Sequence, residues 1–362
     1  MVKMGHKLRR ALRSPLTTAV AVGMGVALLA GLGATSAVAD DPVENAEKIL
    51  EFDARNITPS KAYRIAYLTE CGQNPYCSAR RAGLEAAAQK YGFTYKRFAA
   101  NFNPAAQIKQ VQNAITEGFD GYLFAPTAAA PACSMWKRHL EPLDEPTVSL
   151  DLPMCEDADY SEGLAATVTM QRQAYYNAHV DHALASCTEP CKVAAVGGFV
   201  GSDLFGFWEK AIQQGAEKFP NAEIVVDQPA NFDPRVALEK IQNALLAHPE
   251  ITVILSSWDD MSRGVEQAIE AAGKTPGTDV RIYSIGATKD GIAKVKAGTY
   301  NETTVLLPWE ESYYAAVALI AALEGEPING YINEADLPAV ADGPGTIIIT
   351  PENVDTMTEP KY

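Results

Sequence analysis

Basic residues are scarce in this chain of 362 residues, in which 30 Lys and Arg face 45 Asp and Glu and the formal net charge is −15. Five of those basic residues lie close to the N-terminus, so the rest of the chain is more acidic still. Nucleic acids and anionic membrane surfaces are bound through clustered Lys and Arg. The composition therefore predicts a protein that binds neither.

Motifs of catalysis and cofactor binding are also missing. The sequence has no G-x-S-x-G nucleophile motif, and the glycines that follow the apolar run 192–198 match neither the P-loop nor the dinucleotide pattern. His179 and His182 have the spacing of metal ligands on one helix face, but a solvated helix face without a third ligand explains them as well. We therefore expect no enzyme activity, no cofactor and no metal site.

Only one long hydrophobic run is present, and it lies near the N-terminus. The run from Ala19 to Leu32 follows the basic residues and precedes Ala37-Val38-Ala39, a small-residue cleavage signal. An uncut membrane anchor is the alternative, although the run is short for a spanning helix. We predict a signal peptide over 1–39, cleaved after Ala39, and export to the periplasm, the cell envelope or the medium. Because the first cysteine is Cys71, we expect no lipid anchor.

Six cysteines in an exported chain are typical of disulfides. They are Cys71, Cys77, Cys133, Cys155, Cys187 and Cys191. The first two bracket a turn-like segment, as do the last two, which would leave the middle two as a third pair. The sequence cannot choose among the possible pairings. A metal site is the alternative, but neither C-x-x-C nor a cysteine–histidine cluster occurs.

An internal repeat organises the chain. The segment 100–104, Ala-Asn-Phe-Asn-Pro, returns at 230–234 as Ala-Asn-Phe-Asp-Pro, and the repeat stays in register as far as 115 and 245. This spacing is too long for a solenoid unit, whose period is about 20–50 residues. The repeat therefore predicts two similar lobes, with a ligand cleft between them.

Each half of the chain alternates short apolar runs with helical patterns, which is typical of a parallel sheet covered on both faces. The predicted strands are 63–69, 93–98, 121–125 and 147–151 in the first half and 192–198, 224–227, 251–255 and 281–285 in the second. The fold class is therefore α/β, with two doubly wound parallel-sheet lobes. We predict a lead-in segment 40–61, lobe 1 at 62–168 plus 308–336, and lobe 2 at 169–307 plus 337–362.

Aromatic and acidic residues are concentrated in the loops after these strands, where ligands of such sheets bind. Flat rings stack on sugar faces, and carboxylates accept hydrogen bonds from hydroxyl groups. Core packing is the alternative for any one ring. For Asp259 and Asp260, the alternative is that their negative charges stabilise the N-terminus of a helix. A carboxylate pair such as Asp151 and Asp259 is also found in glycosidases, but a hinged cleft would hold it poorly.

Residues 62–330 resemble the type I periplasmic sugar-binding proteins of ABC importers, the ribose-binding group in particular. Asn74-Pro75-Tyr76 is similar to the family's Asn-Pro-Phe segment, and 147–151 to its fourth strand, which ends in a ligand-binding aspartate. The segment 228–233 is similar to the second-lobe turn whose aromatic residue lines the site. The segment 257–261 is similar to the family's Asn-Asp-Glu-Met segment.

Five polar ligand contacts of the family are apolar or absent here. Leu152 and Phe205 or Gly206 stand where the family has arginines, and Gly286, Leu306 and Trp258 replace an aspartate, a glutamine and an asparagine. An unpaired buried hydroxyl group costs about 1–3 kcal/mol. Either the hydroxyl contacts have moved to other residues, or the ligand is less hydroxylated.

The resemblance implies a monomeric solute-binding protein that closes around a monosaccharide or polyol and delivers it to an ABC importer permease. Hinges are expected near 166–170, 305–309 and 335–338. In the expected site Tyr76, Phe232 and Trp258 stack on the ligand. Its hydroxyl groups are bonded by Asn74, Asp151 and Asp259. The alternatives are a less polar ring compound as ligand, a sensory subunit that presents a ligand to a receptor, and an exported hydrolase.

Overall fold

A computed structural model describes residues 41–155 and 159–362. The predicted signal peptide and its cleavage site lie outside this part of the chain. Within it, twelve strands form two sheets of six. Each sheet is covered by helices, and together they form two α/β lobes, so the fold class predicted from the sequence is confirmed.

Lobe 1 is built on a fully parallel sheet. Its strands are β1 (Arg64–Thr69), β2 (Thr94–Ala99), β3 (Gly121–Phe124), β4 (Thr147–Leu150), β5 (Ala166–Val168) and β11 (Tyr331–Ile332). They lie in the order β11-β5-β4-β3-β1-β2. Its helices are α1 (Pro42–Ala54), α2 (Pro75–Tyr91), α3 (Pro104–Glu117), α4 (Ala129–Met135) and α10 (Pro308–Leu323). The helix α10 packs on both α2 and the sheet and is buried, and beyond the acids of its first turn it is largely apolar.

Lobe 2 repeats this plan with one antiparallel edge strand. Its strands are β6 (Cys191–Gly197), β7 (Ala222–Pro229), β8 (Ile251–Ser256), β9 (Arg281–Gly286), β10 (Glu302–Val305) and β12 (Ile348–Ile349). They lie in the order β12-β10-β9-β8-β6-β7, and β12 runs antiparallel to β10. Its helices are α5 (Gln173–Ala185), α6 (Asp203–Lys218), α7 (Pro234–Ala247), α8 (Asp259–Ala271), α9 (Lys289–Lys296) and α11 (Pro338–Ala341).

The chain passes between the two sheets three times. It leaves lobe 1 after β5 through residues 169–172, returns before α10 through 306–307, and leaves again after β11 through 333–337. The segment before lobe 1, expected to be a lead-in, contains α1, which packs against α10 and β11.

The internal repeat forms the same turn in both lobes. Asn101-Phe102 has φ values of 51° and 57°, and Asn231-Phe232 has 56° and 53°, so both pairs adopt the left-handed conformation. Asn103 then caps α3 with its side chain, and Asp233 caps α7. Asparagine tolerates this conformation and proline suits the first helical position, which explains why this sequence recurs.

The six cysteines lie in three close pairs. Cys71 and Cys77 have Cα atoms 5.5 Å apart, Cys133 and Cys155 4.7 Å, and Cys187 and Cys191 5.8 Å. All three distances are in the range that a disulfide spans. The pairs are those that the sequence spacing favoured.

Candidate functional site

A cavity of about 530 Å³, measured with the space at its mouth, lies between the two lobes. Its walls come from segments that follow the carboxyl ends of strands, as expected for parallel sheets. The lobe 1 side consists of Glu70, Asn74, Tyr76, Phe102 and Asp151. The other side consists of Gln171, Tyr176, Leu204, Phe232, Ser257, Trp258 and Leu306. The cavity therefore combines several rings with a small set of polar groups.

Five of the six ligand-binding residues predicted from the sequence lie together in this cavity: Asn74, Tyr76, Asp151, Phe232 and Trp258. Asn74 also caps α2, because its Oδ1 accepts a hydrogen bond of 2.8 Å from the backbone N–H of Cys77. The cap fixes Oδ1 and leaves Nδ2 as the group that can donate to a ligand. Trp258 directly precedes α8, and its ring meets the Phe232 ring edge-to-face at 6.1 Å.

Asp259 is the exception, since it is absent from the described residues that line the cavity. Its side chain turns into lobe 2, where Oδ1 accepts from the hydroxyls of Ser284 at 2.6 Å and Thr303 at 2.9 Å. Oδ2 accepts from the backbone N–H and the hydroxyl of Thr288, both at 2.9 Å. Both oxygens are thus occupied by the protein, and the contact of Asp259 with a ligand hydroxyl stays a prediction that this geometry does not favour.

The inward turn of Asp259 also explains one departure from the family pattern. A Cβ atom at Gly286 would lie 2.7 Å from Asp259 Oδ2. The space beside Gly286 is therefore already filled by the carboxylate of another residue. Burial raises the pKa of Asp259 to about 6, although hydrogen bonds from Ser284, Thr288 and Thr303 oppose the shift.

Phe102 lines the cavity although the sequence analysis did not select it. It is the lobe 1 counterpart of Phe232 in the repeat, and its φ is nearly the same. Its ring lies 5.5 Å from Phe199 of lobe 2, which in turn lies 5.4 Å from Phe232. The repeat itself contained this information, because equivalent turns place equivalent side chains at the cleft.

A second contact joins the lobes near these rings. Asp203, the first residue of α6, accepts a hydrogen bond of 2.9 Å from the backbone N–H of Ala129 at the start of α4. The bond places a carboxylate of lobe 2 against a backbone N–H at the N-terminus of a lobe 1 helix. That N–H has no acceptor within its own helix, and the position favours negative charge. The two lobes therefore touch on one side of the cavity.

The polar end of the cavity is a hydrogen-bonded network. The Tyr76 hydroxyl lies 2.8 Å from Glu311 Oε2 and 3.2 Å from Asp151 Oδ1, and it can donate to one of them. Gln171 Nε2 donates to Asp151 Oδ1 at 2.8 Å and to the Tyr76 hydroxyl at 3.1 Å. These contacts fix the orientation of the Asp151 carboxylate at the cavity wall.

Arg80 lies behind this network and is fully buried. Its guanidinium donates to Glu70 Oε1 and, at 2.6 Å, to Glu311 Oε1. Its Nη2 is also 3.6 Å from Asp151 Oδ1. Glu334, another buried acid, accepts a hydrogen bond from the backbone N–H of Met170 in the first crossing segment.

One guanidinium therefore lies among four buried acids and contacts three of them, and the pKa values reflect this imbalance. Burial, opposed by Arg80, raises the pKa of Glu70 to about 8 and that of Glu311 to about 7. Burial also raises the pKa of Asp151 and that of Glu334. The sequence analysis missed this cluster because its members come from four distant parts of the chain.

Of the two histidines of α5, His182 is exposed, as on the solvated helix face that the sequence analysis allowed, whereas His179 is not. His179 is fully buried, with Nδ1 3.0 Å from Glu302 Oε1, and His182 Nδ1 lies 2.5 Å from Glu302 Oε2. Glu302 therefore sits between two imidazoles. Among the described residues, no group of three or more His, Cys, Asp or Glu side chains is arranged to hold a metal ion.

Comparisons with known proteins agree with this geometry. Residues 65–327 match the family described as periplasmic binding protein domain. The ribose import binding protein of Salmonella typhimurium is 26% identical over 266 residues, which are 73% of this chain and 86% of that protein. The xylitol-binding protein of Mycolicibacterium smegmatis is 24% identical over 309 residues, 82% of this chain and 79% of that protein.

Solved structures share the fold. The Caulobacter myo-inositol binding protein, bound to myo-inositol, superposes with a TM-score of 0.71 at 21% identity, over 83% of this chain and 98% of that one. Within residues 41–155 and 159–362, every helix is too short or too polar to span a bilayer. The two parallel-sheet lobes, the cavity between them and the match over residues 65–327 lead to one conclusion: this chain belongs to the periplasmic binding protein domain family.

Proposed function

We propose that this protein is an exported solute-binding protein that captures a monosaccharide or polyol in the inter-lobe cavity and delivers it to an ABC importer. The observation that carries the proposal is the cavity itself, where rings from both lobes face Asp151 and Asn74. Rings cover the apolar faces of a sugar, and the polar groups bond its hydroxyl groups. Relatives named for ribose, xylitol and myo-inositol support this class of ligand.

The proposal includes the motion that capture requires. The crossing segments 169–172, 306–307 and 333–337 would act as hinges, which divides the chain into lobe 1 at 62–168 plus 308–336 and lobe 2 at 169–307 plus 337–362. It also includes cleavage after Ala39, no lipid anchor, three disulfides and a monomeric state. Light scattering of the purified protein should give the mass of a single chain.

Thermal unfolding against a panel of ligands tests the proposal. The panel contains D-ribose, D-allose, xylitol, myo-inositol and, as compounds of lower polarity, aromatic acids. A ligand at about 100 times its dissociation constant adds about 2.7 kcal/mol to the free energy of unfolding, which raises Tm by several degrees. A shift with a sugar or polyol is the expected result. A shift with aromatic acids alone would contradict the proposed ligand class.

A second measurement separates binding from turnover. The hydrolase alternative needs two carboxylates that face one substrate, and Asp259 is turned away from the cavity in which Asp151 lies. We therefore expect that a ligand which raises Tm is recovered chemically unchanged after prolonged incubation with the protein. Appearance of a cleavage product that depends on Asp151 would contradict the transport function.

A further inference from the structure

We propose that the preferred ligand carries a protonated amine on a sugar, cyclitol or polyol frame, and that the carboxylates at the polar end of the cavity bind the ammonium group. This inference rests on the proposed function, because it assigns a chemical class to the ligand of the same cavity. The sugars and polyols in the relatives' names are neutral, so the inference adds a positive charge to the ligand.

The charges at the cavity wall are the first observation. Among the described residues that line the cavity, Glu70 and Asp151 are the acidic ones, and Lys, Arg and His are absent. Both acids are almost fully buried, with exposures of 4% each. A buried carboxylate is costly unless a cation or several donors pair with it. Because the pKa of Glu70 is raised to about 8, this acid is mostly protonated near neutral pH, and a cation at the wall would let it ionise. A neutral ligand would meet both acids only through its hydroxyl groups.

The protein's own cation is shared, and the raised pKa values of Glu70 and Glu311 show that it does not keep all of these acids ionised. Arg80 is fully buried behind the wall and is shared between Glu70 and Glu311, with Asp151 slightly further away. Glu334 adds a fourth carboxylate without a second cation in the described part of the cluster. An ammonium group at the wall would supply a positive charge that the cluster lacks. Charge-assisted hydrogen bonds of this kind are about twice as strong as neutral ones.

The aromatic rings beside the acids would also attract a positively charged group. Tyr76, Tyr176, Phe232 and Trp258 all line the cavity. The face of an aromatic ring attracts a cation, and tryptophan does so most strongly. Rings alone would also suit a neutral sugar. Rings combined with two carboxylates and no basic side chain favour a cationic ligand.

Ser257 is a second, independent indication of a polar ligand. Its side chain lines the cavity and is 7% exposed, and its Oγ has no hydrogen-bond partner in the part of the chain that the structure describes. A buried hydroxyl without a partner costs about 1–3 kcal/mol. A ligand N–H or O–H at this position would satisfy it.

Donors toward the ligand are few in comparison. Leu152 and Phe205, at the positions where the resemblance implies arginines, are buried apolar side chains and are not among the described lining residues. Asn74 keeps an amide N–H for the ligand, whereas Glu70 and Asp151 offer acceptors. A site rich in acceptors selects a ligand rich in N–H and O–H donors.

Calorimetry with matched ligand pairs tests the inference in the purified protein. The pairs are sorbitol with 1-amino-1-deoxysorbitol, and myo-inositol with an inosamine, at pH 7.5 and low salt. We expect the amine of at least one pair to bind about tenfold more tightly than its neutral partner. Neutral members that bind as tightly as the amines would overturn the inference and leave the proposed function standing. If no sugar or polyol binds, with or without an amine, both are overturned.

Two variants locate the effect. Glu70→Gln keeps the shape of the protonated side chain but cannot ionise against an ammonium group, and should bring the ratio of the two affinities within a pair close to one. Glu270→Gln is the matched control, because this exposed residue lies near the other end of α8, about 16 Å from its start. A ratio that survives Glu70→Gln unchanged would contradict the role of the carboxylate cluster.

Discussion

At the scale of single residues, Asp151 and Asp259 show that two aspartates at the carboxyl ends of sheet strands can have different roles. Each follows a parallel strand of its lobe, so the sequence predicted that both contact the ligand. Asp151 is held at the cavity wall by Gln171 and Tyr76. Asp259 has hydroxyl groups of Ser284, Thr288 and Thr303 within reach on its own lobe and is turned inward by them. The side-chain direction at a helix start depends on such distant partners, which a local pattern does not reveal.

We predict that the two amide substitutions change different properties: ligand affinity for Asp151→Asn and protein stability for Asp259→Asn. Asp151→Asn should weaken ligand binding by about 10- to 100-fold, because a buried polar contact to a hydroxyl or ammonium group is worth about 1–3 kcal/mol. Asp259→Asn should lower the free energy of unfolding by about 2–3 kcal/mol, because an amide cannot accept from all four donors. Calorimetry and urea unfolding of both variants measure these effects.

The two variants control for each other. Asp259→Asn should keep the wild-type dissociation constant within about twofold under conditions in which it is folded. If Asp259→Asn loses binding while Asp151→Asn keeps it, the assignment of the two carboxylates given above is wrong.

At the scale of elements, the site depends on how closely α2 approaches α10. These helices carry Arg80 and Glu311, which pair at 2.6 Å. Gly83 lies at the crossing, where a Cβ atom would be 2.0 Å from the carbonyl oxygen of Trp309. Gly264 has the same function between α7 and α8, with Pro234 O at 1.9 Å. The glycines therefore allow backbone contact at one helix crossing in each lobe.

Gly83→Ala is expected to separate α2 from α10 and to lower the free energy of unfolding by about 1–3 kcal/mol, as other overpacked cores do. Gly206→Ala is the matched control, because Gly206 also lies in a helix but has open space around its Cβ position. It should stabilise the protein by about 0.5–1 kcal/mol. Urea unfolding compares them, and equal effects of the two substitutions would refute the close crossing as the cause.

The elements themselves were largely predictable from the sequence. Apolar runs are local signals, so the four main strands predicted for each lobe agree with the structure to within a few residues. The strands β5, β10, β11 and β12 were not predicted, since strands of two to four residues leave little periodic pattern. Arg80 was missed as well, because an arginine in an Ala-rich helix gives no sign of the distant acids it will meet.

At the scale of the whole molecule, the buried acids around Arg80 make the stability of the folded protein depend on pH. In the folded protein the pKa of Glu70 is raised to about 8 and that of Glu311 to about 7, mainly by burial. Unfolding returns both to their ordinary values and releases protons. The pKa of His182 is also raised, by its hydrogen bond to Glu302. All three shifts make the folded state bind more protons than the unfolded state.

Stability of the unliganded protein should therefore fall as pH rises from about 5 to about 8, since the folded state loses protons that favour it. Thermal unfolding at four pH values in this range measures the slope of Tm. Glu70→Gln, which resembles the protonated acid, should make the slope shallower. A Tm that rises over this range, or a slope unchanged in Glu70→Gln, would contradict the assigned pKa shifts.

The measurement that tests the central claim most directly is a fluorescence titration of Trp258. Trp258 lines the cavity, whereas Trp136 and Trp208 are fully buried in the cores. The fourth tryptophan, Trp309, stacks on Tyr313 in α10 and is not among the described lining residues. We predict a saturable change in tryptophan fluorescence when xylitol, myo-inositol or an amino derivative of either is added. The change should disappear in Trp258→Phe, while calorimetry still detects binding. Binding that leaves the wild-type emission unchanged, or a response that persists in Trp258→Phe, would place the ligand outside this cavity.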